Sequence, residues 1–105
     1  LVFDARFLKN PHYEDELRAL TGQDAPIGEF IGRDPDFASY FGNLKRLLEP
    51  LLPRFSAEGK SYLTIAVGCT GGKHRSVYIA EKLKDWLTEK GERVSISHRD
   101  LNRER

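Results

Sequence analysis

A chain of 105 residues, 39% hydrophobic and 31% charged, supports one compact domain (1–105) with a modest core and excludes two. A formal net charge of +1 excludes any case for nucleic acid from overall balance, so local clusters must carry it. One cysteine excludes an internal disulfide and fits a reducing compartment, most simply the cytoplasm, and no apolar run approaches the roughly 20 residues that cross a bilayer. A core this small invites packing against a sister subunit, so a homo-oligomer is expected. The start at Leu1, inside a strand-like run and without a leader pattern, leads to the expectation of a fragment of something longer.

In chain order, Leu1–Ala5 is apolar enough for a buried strand that delivers Asp4 and Arg6 to a sheet edge. Asn10-Pro11 breaks that run, and Tyr13, Leu17 and Leu20 recur at helical spacing, predicting a short helix over 12–20 closed at Thr21-Gly22. The signal from Gln23 to Arg33 is weak. Asp34-Pro35 is a strong helix start, because a carboxylate N-cap precedes a proline whose missing N–H costs nothing there. Leu44, Leu47, Leu48, Leu51, Leu52 and Phe55 then form one apolar stripe, and Pro50 and Pro53, on the other face, are expected to kink or end the helix. Tyr62–Val67 is the best strand pattern, apolar on both faces and expected in mid-sheet. Val77, Ala80, Leu83, Trp86 and Leu87 predict a helix stopped by Gly91, and Val94 and Ile96 alternate with polar residues as a last strand. The order predicts an α/β fold: a small parallel or mostly parallel sheet sandwiched by helices, with a strand-to-helix anion-binding loop.

That loop runs Gly68-Cys69-Thr70-Gly71-Gly72-Lys73-His74-Arg75-Ser76, outside the carboxyl end of a strand, where open α/β sheets bind ligands. Gly71 and Gly72 permit backbone angles that turn successive N–H groups toward one point, and the helix start adds positive potential. Thr70 and Ser76 add hydroxyls, and Lys73 and Arg75 add charge, the latter in a fork suited to phosphate oxygens. A plain tight turn with solvated cations is the structural alternative. The loop matches neither the Walker A pattern nor the dinucleotide fingerprint. Cys69 and Arg75 do have the Cys-x5-Arg-Ser spacing of a cysteine-dependent phosphatase, with Asp4 in reach as a general acid, while a small buried cysteine is the plainer reading. Asp4, Arg6, Asn10 and His12 would share the loop's edge if the first strand is its parallel neighbour, and there they could hold the polar remainder of a ligand. His12, His74 and His98 lack ligand spacing, so no metal is expected, and no cofactor is called for. The tail from His98 to Arg105 is basic with two acids, either a solvated end or a short track for an RNA backbone.

Residues 68–81, Gly-Cys-Thr-Gly-Gly-Lys-His-Arg-Ser-Val-Tyr-Ile-Ala-Glu, resemble the RapZ/YvcJ family of bacterial RNase adapter proteins. The likeness continues through Asp4-x-Arg-Phe-Leu-x-Asn-Pro-His12, Leu20-Thr-Gly22, Ser61-Tyr-Leu-Thr and Ser97-His-Arg99, and it is to the family's C-terminal domain alone. It implies a sensor and adapter without catalysis, binding glucosamine-6-phosphate and small regulatory RNAs and acting through RNase E. The nucleotide-binding Walker loop for ATP or GTP belongs to the family's N-terminal half. Carried onto this chain, the phosphate would sit at Thr70, Gly71, Gly72, His74 and Arg75, in the wider loop Cys69–Ser76, with the sugar toward Asp4, Arg6, Asn10 and His12. RNA would lie on Lys73, His74, Arg99, Arg103 and Arg105, with Glu92 and Glu104 departing from a cationic pattern.

Overall fold

A computed structural model describes residues 1–58 and 62–101. Ser61, Arg103, Glu104 and Arg105, singled out above, lie outside the described residues. Strand β1 (Val2–Asp4) pairs in parallel with β2 (Ala66–Gly68), in the register Val2 with Ala66, Phe3 with Val67 and Asp4 with Gly68. A 3₁₀ turn, Pro11–Tyr13, follows β1, and then come helices α1 (Ala25–Gly32), α2 (Pro35–Ala57) and α3 (Arg75–Glu89). The architecture is the expected α/β arrangement with a small parallel sheet.

The core is where the helical stripes meet the covered side of the sheet. Ile27 and Ile31 of α1, Leu44 and Leu48 of α2, and Ile79 and Leu83 of α3 bury together with Ala5 and Leu8, which follow β1. Phe3 and Val67 pack against this cluster from the sheet, while their neighbours along each strand face outward. Each fully buried Leu and Ile here contributes about 1.5–3 kcal/mol by leaving water, which is how so small a domain offsets its ordering entropy.

The helix expected over 12–20 and the strands expected over 62–67 and at 94–96 are corrected, and two further stretches are filled in. Residues 12–20 form the 3₁₀ turn and a run of turns in place of one helix: Arg18 N–H reaches Glu14 O at 3.0 Å, but Leu17 and Leu20 bond three residues back. Only two apolar side chains there, Leu17 and Leu20, touch the core, too few to hold a longer helix in place. The weak stretch 23–33 contains α1, whose Gly28 hides the helical pattern because packing requires it: a Cβ there would come within 2.9 Å of the Tyr78 ring. Helix α2 runs through Pro50 and Pro53 to Ala57, both prolines being exposed and each removing one backbone donor. The strand expected over 62–67 is confined to Ala66–Gly68 with one ladder partner, and no strand forms at 94–96. Burial does alternate along both segments, with Leu63, Ile65, Val67, Val94 and Ile96 half-buried, but alternation without a neighbouring backbone makes no ladder. The two segments instead line one groove of ≈ 940 Å³.

Candidate functional site

The parallel register sets Asp4 beside Gly68, so the exits of β1 and β2 share one edge, and the chain from β2 enters the glycine turn there. Gly71 and Gly72 adopt φ of +84° and +67°, a left-handed conformation that a side chain would strain. Helix α3 then begins at Arg75 behind His74, with no side-chain cap. The Ser76 amide donates to Cys69 Sγ at 3.2 Å, and the thiol lies 3.3 Å from Ser76 Oγ. Sulfur is a weak acceptor, so the positive end of α3 is only lightly compensated from within the chain.

Arg75 is the least expected element of the loop. Its side chain is buried, 3% exposed, and Nη1 donates to the backbone carbonyls of Arg6 and of Leu8, the latter at 2.9 Å. Its Nε has no partner among the described residues. The guanidinium therefore fastens the β1 exit to the glycine turn, and among the described residues no carboxylate hydrogen-bonds to it, although the Asp4 charge lies near enough to interact with it. Leaving such a donor unmet costs about 1–3 kcal/mol.

His74 is likewise buried. Its Nε2 lies 3.2 Å from Arg18 O, and burial above all pushes its pKa below the ordinary 6.5, so it is neutral near pH 7. Lys73 contributes its carbonyl to Gly22 N–H at 2.8 Å, and a Cβ at Gly22 would overlap the α3 backbone at His74 and Tyr78. Thr70 and Gly71 remain exposed at the tip.

On the β1 side, Asp4 and Arg6 form a closed pair: Arg6 N–H donates to Asp4 Oδ1 at 2.8 Å, and Arg6 Nη2 stands 2.7 Å from Oδ2. The hydrogen bonds from Arg6 hold the Asp4 carboxyl below its ordinary range. Asn10 Oδ1 accepts the His12 amide at 3.0 Å, and the exposed His12 ring sits edge-on to Tyr13. Arg18 Nε donates to His12 O at 2.8 Å, so Arg18 bridges the β1 exit and the His74 side of the loop through both its side chain and its carbonyl. Tyr40 O–H donates to Asp4 O at 3.1 Å. Neither Arg18 nor Tyr40 had a sequence signal, since both act through backbone carbonyls brought close by folding. Of the basic tail, Arg99 is exposed, its Nε 3.5 Å from Asp100 Oδ1, while His98 pairs with Glu81 at 2.7 Å.

The fold and this loop define an α/β domain built round a glycine-rich strand-to-helix turn, with a buried arginine at the helix start. Residues 1–102 match the RapZ C-terminal domain family, and the chain belongs to that family. It is 61% identical over 102 residues to a nucleotide-binding protein of Paramagnetospirillum magneticum, covering 97% of this chain and 33% of that protein. It is 59% identical over 103 residues to a nucleotide-binding protein of Rhodospirillum centenum, with 98% and 31% covered, and 58% identical over 101 residues to one from Rhodospirillum rubrum, with 96% and 32% covered. The chain thus spans about a third of the length of the curated relatives it matches. Among the described residues, no helix is long and apolar enough to cross a membrane, and no group of three or more His, Cys, Asp or Glu is placed to hold a metal ion.

Proposed function

We propose that this domain senses a phosphorylated sugar of the glucosamine-6-phosphate kind and serves as a small-RNA-binding adapter in RNase-dependent RNA decay. The observation that carries the first half is Arg75, buried at an uncapped helix start beside two left-handed glycines, with its Nε unmet. A phosphate at the turn would take the free amides, the Thr70 hydroxyl and the charge of Arg75 and Lys73, while Asp4, Arg6, Asn10 and His12 flank it for sugar hydroxyls and the amino group. The Asp4–Arg6 pair is exposed, so opening it for a ligand costs little.

Calorimetric titration with glucosamine-6-phosphate, set against glucosamine, glucose-6-phosphate and inorganic phosphate, tests this reading. Selective binding weakened by about tenfold in Thr70→Ala, as for loss of one phosphate hydrogen bond, is expected. Equal weak binding of every phosphate would reject the sugar, and turnover of an aryl phosphate that disappears in Cys69→Ser would put the phosphatase in its place. For RNA, the exposed Arg99 and the half-buried Lys73 are the described contacts, since the buried His74 ring offers a phosphate little surface. Arg103 and Arg105 complete the proposed set. Binding that falls steeply with salt and weakens in the double substitution of Arg103 and Arg105 to alanine is expected, and a salt-insensitive signal would reject it.

A further inference from the structure

The C-terminal segment folds back over the loop it follows in space. Asp100, only 15% exposed at its side chain, lies against Gly72: a Cβ built on that glycine would overlap Asp100 Oδ2 and stand 3.1 Å from Asp100 Cβ and Cγ. Gly72 is therefore glycine for two independent reasons, its left-handed φ and the carboxylate occupying its face. Two residues earlier, the same segment is fixed to α3, where His98 Nε2 meets Glu81 Oε2 at 2.7 Å and Gln23 Nε2 donates to the same oxygen at 3.2 Å. Residues 98–100 thus touch the rest of the domain at an anchor on α3 and at a carboxylate set beside the proposed anion loop.

We propose that Asp100 is a latch on the glycine turn, and that a phosphate entering the loop expels its carboxylate and frees the segment 99–101, while the His98–Glu81 contact holds as the hinge. This rests on the anion-site reading above and adds its regulation. A phosphate dianion at Gly71–Gly72 and a carboxylate on the face of Gly72 are like charges within a few ångströms, in a partly buried setting where water screens them poorly. The loop is held through Arg75, Ser76 and the Lys73 carbonyl, whereas Arg99, which offsets Asp100 at 3.5 Å, is an exposed side chain able to leave with it. Affinity for the anion and order in the segment are then linked: whatever weakens the latch strengthens binding, and binding loosens the segment.

The test uses inorganic phosphate and glucosamine-6-phosphate with the chain, with Asp100→Asn, which keeps the shape and removes the charge, and with Asp100→Ala. Calorimetry reads affinity, and hydrogen exchange reads the amides of 99–101. Both variants are expected to bind phosphate about tenfold more tightly than the parent. Exchange at 99–101 should quicken when phosphate is added to the parent and should already be fast in the variants without it. A parent that binds phosphate, with variants of equal affinity or with exchange at 99–101 unmoved by ligand, overturns the latch and leaves the anion site standing. Absence of binding in parent and variants alike overturns both.

Discussion

Helices α2 and α3 begin in opposite ways. At α2 the chain supplies its own anion: Asp34 Oδ1 accepts the Asp36 amide at 3.0 Å and Oδ2 accepts the Lys9 amide at 2.9 Å, so one buried carboxylate caps the helix and ties down the segment after β1. These backbone hydrogen bonds hold the Asp34 carboxyl below its ordinary value. At α3 no side chain caps the helix, a thiol accepts the Ser76 amide, and a cation is buried where α2 has an anion. The same macrodipole meets a capping carboxylate at one start and a thiol at the other, where the Asp100 carboxylate lies against Gly72 of the turn before the helix. A filled helix start is architecture, and an open one with a buried arginine is where a ligand's charge would do most.

The largest break in this comparison is Arg75→Ala, which releases the Arg6 and Leu8 carbonyls and should lower unfolding free energy by about 3 kcal/mol in chemical denaturation. A loss no greater than that of an exposed arginine would show that Arg75 does not hold the β1 exit. Asp34→Ala should cost less, about 1–2 kcal/mol, without altering phosphate affinity, because its two amides serve the fold alone. Changed phosphate affinity in that variant would erase the distinction between the two helix starts.

The smallest effect is on pH dependence, through His74. Burial lowers its folded pKa below the unfolded 6.5, so the unfolded chain takes up a proton that the folded one refuses. Stability from this group is present above pH 6.5 and is lost as pH falls from there through the folded value. The carboxylates with lowered values, Asp4, Asp34 and Glu81, lose their contribution at more acid pH, starting from ordinary values of 3.8 to 4.5. Denaturation midpoints compared across pH 5 to 7 should therefore fall with acid in the parent and fall less in His74→Asn; identical slopes would mean that the ring is not held neutral by the fold.

The start of α2 was legible because Asp-Pro is a local signal, needing only its own next residues to satisfy it. The glycine turn was legible for the same reason, as a cluster of residue types with a strand on one side and a helix on the other. Helix α1 was not, since Gly28 reads as a breaker until the Tyr78 ring is seen filling the space beside it. The 94–96 segment misled for the converse reason: its alternation is real in burial, but a strand requires a partner at ladder distance, which no local pattern supplies.

By itself the sequence determined the α/β class and the family, and it singled out residues 68–76 as the loop for which an anion is proposed, because all three rest on residue types at short spacing. Only the tertiary structure decided how those residues are employed. It turned Arg75 inward onto the carbonyls of Arg6 and Leu8, paired Asp4 with Arg6, buried His74 against Arg18 and laid Asp100 on Gly72. Each of these contacts, apart from the Asp4–Arg6 pair, joins groups far apart in the chain, and direction and partner at such range are set by packing.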